Sequence, residues 1–415
     1  MPQAHDGAAH GARVLEGVRV LEVAEHTFVP AASALLADWG AEVIKIEHVT
    51  RGDAMRGLAS TGVAELGGEV HALLEHSNRG KKSLGLDLTQ PEGLEVLYRL
   101  AATADVFITN KLPGVRERLK IDVDDIRAHN PSVIYVRGTG QGERGPDADK
   151  GSYDSLAFWA RAGIAIGAQR PEYDLTPIPP APGFGDSIGA MTIAGGVMGA
   201  LYQRERTGHA AVVDVSLLGT GLWAMGQAMA LSLSLGVPWQ APPADRIGAN
   251  PLSRNYDTGD GRTLAFTCLQ GAKYWPTLCV AIGREDLAND ERFADQPSLL
   301  ANSQAAAALL EEVFATATLE EWRQRLESFD GQWAVVQNTL EAAVDPQTLA
   351  NGYLQDLTTS GGVAFQLVSA PVQFDETPAP SCRAPEFNEH GDEILEGIGL
   401  DWDRIVDLKV KGVVA

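Results

Sequence analysis

Residues 18–46 begin with Val18-Arg-Val-Leu-Glu-Val23 and end with Ala41-Glu-Val-Ile-Lys-Ile46, two short runs rich in valine and isoleucine. Such runs are typical of strands. Between them, Ala31 to Trp39 carries apolar residues at helical spacing, and Gly40 follows as a helix C-cap residue. We therefore predict a strand–helix–strand unit with parallel strands over this stretch.

The same alternation recurs further along the chain. A helix is predicted from Pro91 to Ala101, and strands are predicted over Asp105–Thr109, Ser132–Val136 and Ala211–Ser216. Strands that alternate with helices favour an α/β fold with a doubly wound, Rossmann-like parallel sheet. In such sheets, ligands bind at the carboxyl ends of the strands.

The remaining segments differ in pattern. Residues 1–16 are small and polar without a period, which predicts a mobile leader. Prolines mark a linker after about residue 236, and Tyr256 to Phe266 is predicted to form a hairpin before a helical region at about 270–326. A length of 415 residues favours two or three domains.

Composition excludes several classes of function. The net charge is −22, which disfavours a nucleic-acid partner. The first 150 residues hold 17 Lys and Arg against 22 Asp and Glu, so this part is the less acidic and could bind an anion. No apolar run reaches the length of a membrane span, and three scattered cysteines fit a reducing compartment, so we expect a cytoplasmic protein without a membrane partner.

Three motifs are incomplete. Gly140-Gln-Gly-Glu-Arg-Gly145 matches a dinucleotide fingerprint but is followed by a polar loop instead of a helix. The nine histidines show no metal-ligand spacing, so no metal site is predicted. No serine lies in the Gly-x-Ser-x-Gly turn of serine hydrolases.

Asp174 precedes a proline-rich segment that ends at Gly183-Phe-Gly-Asp186, before a helix rich in small residues. Prolines stiffen the backbone here, so the Asp174 carboxylate could serve as a nucleophile in a fixed position. A turn-capping role on the surface is the alternative for a loop aspartate.

Several short motifs, in order along the chain from about residue 17, resemble family III CoA-transferases, the CaiB/BaiF family. The resemblance is carried by Leu35-Leu-Ala-Asp-Trp-Gly-Ala-Glu-Val-Ile-Lys-Ile-Glu47, Gly52-Asp53, Asn78-Arg-Gly-Lys-Lys-Ser-Leu-Gly-Leu-Asp87, Asp105-Val-Phe-Ile-Thr-Asn110, Gly183-Phe-Gly-Asp186 and Glu389-His390. It implies transfer of coenzyme A from an acyl-CoA thioester to a free carboxylic acid, through anhydride and thioester adducts of one aspartate. In similar enzymes that aspartate lies twelve positions before the Gly-Asp aspartate, which is Asp174 here.

The resemblance also implies a CoA site at the strand ends of the N-terminal part. The matching positions are His26, Thr27, Phe28, His48, Leu86, Asn110, Arg118 and Arg137. Relatives often carry Arg at the position of His48 and Lys at that of Arg137, so this chain departs from the family at His48 and keeps a cation at Arg137. CoA is expected as a substrate, with no cofactor bound permanently.

A glycine loop near the substrate is similar to that of the family, with Gly138, Gly140 and Gly142. Racemases of the superfamily carry Gly-His-Asp where this chain has Ser152-Tyr153-Asp154, so one acid/base group is missing. Asp154 is either a second catalytic carboxylate or a structural hydrogen-bonding residue. An α-methylacyl-CoA racemase and a non-catalytic acyl-CoA-binding protein remain the alternatives to a transferase.

The resemblance implies a large CoA-binding domain over residues 17–235, completed by residues 331–415, and a smaller α+β domain over 236–330. It further implies an interlocked homodimer in which each chain threads through the other.

Overall fold

A computed structural model describes residues 13–62, 65–66, 68–243 and 250–415. The chain divides into two compact units. The large unit comprises Met1–Gln169, Leu175–Trp239 and Pro346–Ala415, and the small unit comprises Arg170–Asp174 and Gln240–Asp345. The predicted leader lies outside the described residues up to residue 12. In its last part, Leu15 is buried and its backbone N–H donates to the Trp39 carbonyl at 2.8 Å.

A six-stranded parallel sheet forms the centre of the large unit, in the order β3-β2-β1-β4-β5-β6. Its strands are β1 Arg19–Val23, β2 Glu42–His48, β3 Lys82–Leu86, β4 Val106–Thr109, β5 Ile134–Thr139 and β6 Val212–Ser216. This is the strand order of a doubly wound sheet, whose direction of winding reverses between β1 and β4. The α/β class and the parallel sheet expected from the sequence are confirmed.

Helices cover both faces of this sheet. They are α1 Phe28–Asp38, α2 Ala72–Asn78, α3 Pro91–Ala101, α4 Pro113–Leu119, α5 Val123–Arg127, α6 Ile164–Ala168, α7 Phe184–Thr207, α8 Leu217–Ala224 and α9 Gly226–Leu235, with a 3₁₀ turn at Ala54–Gly57 and a π-helix at Ser155–Arg161. Successive strand residues alternate between two cores: Val20 and Val106 pack with α1 and α7, whereas Leu21 and Phe107 face the opposite layer with α3.

The C-terminal segment adds α16 Pro346–Ala350, β10 Leu354–Thr358, β11 Ala364–Val368, α17 Gly391–Gly397 and α18 Trp402–Val410. Leu395 and Leu408 are fully buried in the layer that contains Leu21. The backbone N–H of Asp87 donates to the Val413 carbonyl at 2.9 Å. Sequence-distant segments therefore share one core in the large unit.

α7 is long and apolar enough to cross a membrane, judged by length and composition alone. It packs against α1 in the large unit, and its Ile193, Ala194 and Val197 are fully buried. A core helix of this kind passes the same test of length and composition.

The small unit contains a three-stranded antiparallel sheet of β7 Asn255–Asp257, β8 Thr263–Phe266 and β9 Trp333–Val335. Its helices are α10 Gly271–Ala281, α11 Glu285–Ala288, α12 Gln296–Ala301, α13 Ser303–Phe314, α14 Leu319–Leu326 and α15 Thr339–Ala343, with a 3₁₀ turn at Glu291–Phe293. This unit extends past residue 330, where the sequence was expected to end the smaller domain, because β9 pairs with β8 inside it. A three-residue strand is too short to show an alternating pattern.

Candidate functional site

Two adjoining cavities open at the carboxyl ends of β1 and β4, where the strand order reverses. The larger, of about 380 Å³, is called the glycine cavity; it is lined by Glu25, His26, Thr27, Phe28, Asn110, Lys111, Leu112, Val115, Gly138, Thr139, Gly140, Gly151, Ser152, Tyr153, Asp186 and Leu217. The smaller, of about 260 Å³, is called the arginine cavity; it is lined by Val23, Ala24, Glu25, Ile46, Glu47, His48, Arg51, Leu86, Asp87, Leu88, Thr89, Lys111, Val115, Arg118 and Leu119. Both linings include Glu25, Lys111 and Val115. The cavities therefore meet at these three residues.

Two glycines, Gly138 and Gly140, form part of the wall of the glycine cavity. A Cβ at Gly138 would lie 2.2 Å from Val29 Cγ2, and a Cβ at Gly140 would lie 2.4 Å from the Ser152 Cβ. Glycine is needed at both positions because the end of β5 approaches its neighbours too closely for any side chain.

His26 adopts a left-handed backbone conformation, with φ of 70°. Its backbone N–H donates to Asp53 Oδ1 at 3.0 Å, and the N–H of Met55 donates to the same oxygen at 2.8 Å. The other carboxylate oxygen of Asp53 forms an ion pair with Lys45 Nζ at 2.7 Å. Burial alone would raise the pKa of Asp53, but the charge of Lys45 together with the hydrogen bonds from Lys45, His26 and Met55 lowers the pKa to about 2. An ionised carboxylate thus fixes the strained backbone of His26.

Lys45 belongs to a fully buried charge cluster beneath the β1 strand end. Glu22 pairs with Lys45 Nζ at 2.6 Å and with Lys81 Nζ at 2.7 Å. Burial lowers the pKa of Lys81 to about 7, although the charge of Glu22 opposes this shift. Removal of one member would leave an uncompensated buried charge, so each of these side chains is needed for the stability of this part of the sheet.

Asp186 lies in the first turn of α7 and lines the glycine cavity. Burial, and then the negative charge of Asp154, raises the pKa of Asp186 to about 7. Asp154 itself accepts hydrogen bonds from the Ser155 N–H at 2.7 Å and the Gly185 N–H at 3.2 Å. At neutral pH the Asp186 carboxyl group can therefore donate or accept a proton.

The arginine cavity is lined by three cations, Arg51, Lys111 and Arg118, and by three carboxylates, Glu25, Glu47 and Asp87. Arg118 is exposed. Glu25 pairs with the other two cations: its Oε1 lies 2.8 Å from Arg51 Nη2, and its Oε2 lies 2.6 Å from Lys111 Nζ. His48 Nδ1 lies 3.2 Å from Thr50 Oγ1. Such a cavity suits a ligand with more than one anionic group.

The structure brings most of the sequence-predicted site residues to these two cavities. His26, Thr27, Phe28, Asn110, Gly138 and Gly140 line the glycine cavity, and His48, Leu86 and Arg118 line the arginine cavity. The side chain of Asn110 is engaged by the Glu25 backbone, through Asn110 Nδ2 to Glu25 O at 2.7 Å and Glu25 N to Asn110 Oδ1 at 3.2 Å.

The other predicted residues lie elsewhere. Arg137 pairs with Asp214 at 2.6 Å and with Glu143 at 3.2 Å, and it is not among the lining residues of either cavity. Gly142 donates its N–H to Thr139 Oγ1 at 3.0 Å and is likewise outside both linings. Asp154 is in contact with α7 through Gly185, as described above. Asp174 lies at an exposed bend after α6, groups with the small unit, and is not a lining residue.

Sequence reasoning missed Glu25, Lys111 and Asp186 as site residues. Glu25 and Lys111 each lie two residues after the end of a strand, β1 and β4, and this position was a usable signal. For Asp186 the signal was a carboxylate in the first turn of a helix that follows Gly183. Among the described residues, no cluster of three or more His, Cys, Asp or Glu side chains could bind a metal ion.

Comparison with known proteins gives a consistent result. Residues 15–391 match the sequence model of the family described as CoA-transferase family III. The chain is 32% identical over 403 residues to the (R)-2-hydroxy-4-methylpentanoate CoA-transferase of Clostridioides difficile, with 97% of this chain and 99% of that protein covered. It is 29% identical over 400 residues to the cinnamoyl-CoA:phenyllactate CoA-transferase of Clostridium sporogenes, covering 95% and 96%. The crystal structure of Rv3272 from Mycobacterium tuberculosis superimposes with a TM-score of 0.79 at 30% identity, covering 93% of this chain and 100% of that one.

Proposed function

We propose, from the fact that this chain belongs to CoA-transferase family III and is an enzyme of that family, that it moves coenzyme A from an acyl-CoA thioester to a free carboxylic acid. The observation that carries the proposal is the pair of cavities that meet at Glu25 and Lys111. CoA is a long molecule with phosphates at one end and a thiol at the other. Two adjoining cavities at the strand ends, one of them lined by Arg51, Lys111 and Arg118, offer cations to the phosphates and room for the arm that carries the thiol.

In the proposed pose, the adenosine part lies in the arginine cavity and the pantetheine arm extends into the glycine cavity. Arg118 is exposed and lines the first of these, which supports a contact with the 3′-phosphate. Gly138 and Gly140 leave the end of β5 open to a close approach by the ligand. His26, Thr27 and Phe28 would lie along the arm, since they line the glycine cavity.

The proposed nucleophile is Asp174. Its carboxylate attacks the thioester carbonyl carbon, the carbon–sulfur bond breaks, and an aspartyl–acyl anhydride forms as CoA leaves as a thiolate. The thiolate then attacks the aspartyl carbonyl, which releases the donor acid and leaves an aspartyl–CoA thioester. The acceptor carboxylate attacks this thioester to form a second anhydride and the thiolate, and the thiolate takes the new acyl group and frees Asp174. The twelve-residue spacing to Asp186 and the proline-rich segment that follows support this assignment.

Trapping of the acyl-enzyme tests the proposal. The protein is incubated with an acyl-CoA and hydroxylamine, and the modified peptide is mapped by mass spectrometry. We expect a hydroxamate on the Asp174 side chain. Asp174→Ala should lose it, together with at least about a thousandfold of the transfer rate, and still bind CoA.

The neighbouring carboxylate provides the control. Glu172→Ala removes an exposed acidic side chain from the same segment and should keep both the hydroxamate and the transfer rate. Full turnover by Asp174→Ala, or a hydroxamate on another residue, would overturn the assignment of the nucleophile. Exchange of the α-proton without any acceptor acid would instead indicate a racemase, which the names of the relatives do not favour.

We propose that the acceptor is a 2-hydroxy acid with an apolar side chain. The proposal rests on two relatives, one named for 2-hydroxy-4-methylpentanoate and the other for phenyllactate. Transfer rates to these acids and to a dicarboxylic acid of similar length would test it. A preference for the dicarboxylic acid would contradict it.

The proposed assembly is a homodimer. α9 contains no buried residue, although its sequence is mostly apolar. On α8 and α9, Trp223 is 85% exposed and Leu233 is 78% exposed. Apolar surface of this kind marks an interface, and the family resemblance favours a second copy of the chain. The three cysteines are unpaired, which suits the cytoplasm that we propose as its location.

A further inference from the structure

Glu25 is an acidic residue in a cleft proposed to bind an anionic substrate. It lines both cavities at the point where they meet, and its side chain is only 18% exposed. Each of its carboxylate oxygens binds one cation, Arg51 at 2.8 Å and Lys111 at 2.6 Å. Two cations that bracket a carboxylate form a site for an anion with two or more oxygens.

We propose that Glu25 is an internal counter-anion that occupies the place of the CoA diphosphate, and that CoA displaces its carboxylate from Arg51 and Lys111. The inference rests on the proposed function. The diphosphate joins the adenosine and pantetheine parts of CoA. If these parts fill the arginine and glycine cavities, the diphosphate must lie where the cavities meet, beside Glu25.

The backbone of Glu25 is fixed, so displacement involves its side chain alone. Asn110 binds both the backbone N–H and the carbonyl of Glu25, at 3.2 and 2.7 Å. Lys111 and Arg51 are on separate loops, after β4 and β2, and both side chains keep some solvent exposure, 21% and 52%. The two cations can therefore turn from the carboxylate to a ligand without a change in the main chain.

A carboxylate that remained beside a diphosphate would repel it, and it would compete for the same two cations. Glu25 should therefore lower the affinity for CoA while it keeps Arg51 and Lys111 ordered in the free protein. Neutralisation of this one residue should strengthen binding of every ligand that contains the diphosphate. Ligands without phosphate should be unaffected.

Glu25→Gln tests the inference, because glutamine preserves the shape of the side chain and removes its charge. We expect CoA to bind this variant about threefold to tenfold more tightly than the wild type in calorimetry at low ionic strength. The affinity should also fall more steeply with added salt, since the cations are no longer neutralised. Dephospho-CoA, which keeps the diphosphate, should show the same gain, and an S-acyl pantetheine should show none.

A matched control removes the same charge elsewhere. Glu311→Gln eliminates a carboxylate that pairs with Arg254 at 3.1 Å in the small unit, and it should leave CoA affinity unchanged. A double-mutant cycle adds a second readout: Arg51→Gln should weaken CoA binding more in the Glu25→Gln background than in the wild type.

Unchanged or weaker CoA binding by a folded Glu25→Gln protein would overturn the inference. An equal increase in affinity for the S-acyl pantetheine would also overturn it. So would an increase in affinity for CoA that dephospho-CoA does not share. If Glu25→Gln does not fold, the double-mutant cycle is measured with Glu25→Ser. Absence of a coupling energy between positions 25 and 51 in CoA binding would then overturn the inference. Failure of the wild type to bind CoA at all would instead refute the proposed function.

Discussion

Asp186 is the first acidic residue of α7, and its pKa is raised to about 7 by burial and by the charge of Asp154. Between pH 4 and 7 the folded protein keeps a proton that the unfolded chain has lost. The free energy of unfolding should therefore fall with rising pH in this window, by at most about 1.4 kcal/mol for each pH unit. Above pH 7 this contribution is constant.

Asp186→Asn should remove this slope, so that the stability difference between variant and wild type grows from pH 4 to 7 and then levels off. Chemical denaturation at several pH values measures it. Asp154→Asn should shift the end of the slope to lower pH, because it removes the negative charge that helps to raise the pKa of Asp186. Asp286→Asn is the control: its pKa is lowered by a hydrogen bond from Arg284, so it should produce no slope between pH 5 and 7. Equal slopes in wild type and Asp186→Asn would contradict the expectation.

For single residues, the sequence predicted which side chains lie near the site better than it predicted the residues with which they pair. His48, Leu86 and Arg118 were each expected at the CoA site, and all three line one cavity. The salt bridges of Arg137 and the pairing of Glu25 with two cations depend on residues that are up to 86 positions apart. Local pattern contains no information on such pairs. The role of Asp174 stays a prediction.

The contact between α1 and α7 depends on small side chains. A Cβ at Gly189 would lie 2.4 Å from Phe28 Cε2, and Phe28 is buried. Gly189→Ala should therefore lower the free energy of unfolding by about 1–3 kcal/mol, because Phe28 must move within a packed core. The measurement is equilibrium denaturation.

Gly195 provides a matched control in the same helix. A Cβ at Gly195 would meet no atom within 4 Å. Gly195→Ala should be neutral or stabilise by up to about 1 kcal/mol, since alanine is the better helix former. If both variants lost the same stability, helix propensity and not the contact with Phe28 would explain the result.

Long elements with a clear period were predicted well. The helix Pro91–Ala101 has the predicted bounds, because proline begins it and the apolar stripe is regular. The helix rich in small residues was predicted to follow Gly183-Phe-Gly-Asp186, whereas α7 already begins at Phe184. β3 was not predicted, since Lys82-Ser-Leu-Gly-Leu86 contains a glycine and only two apolar residues, unlike the valine- and isoleucine-rich strands. The π-helix at Ser155–Arg161 was not predicted either, because this rare element has no sequence pattern of its own.

The exposed apolar side chains of α8 and α9 lead to a prediction about the oligomeric state. Replacement of Trp223 and Leu233 by glutamate should convert the proposed dimer into monomers or aggregates, because two charges would be buried in the interface. Light scattering coupled to size-exclusion chromatography measures the mass. Val280→Glu changes a side chain on α10 that is 58% exposed and should leave the mass unchanged. A monomeric wild type would contradict the prediction.

The junction between β3 and the C-terminal segment has a consequence for synthesis on the ribosome. The Ser83 N–H donates to His390 Nδ1 at 3.3 Å, across 307 positions, and the Gly85 N–H donates to Asn388 Oδ1 at 2.9 Å. β3 is the outermost strand of its sheet. During translation, the outer edge of β3 stays unpaired until some 300 further residues have been synthesised. Over that interval other chains could pair with this edge, so we expect the nascent chain to need chaperones.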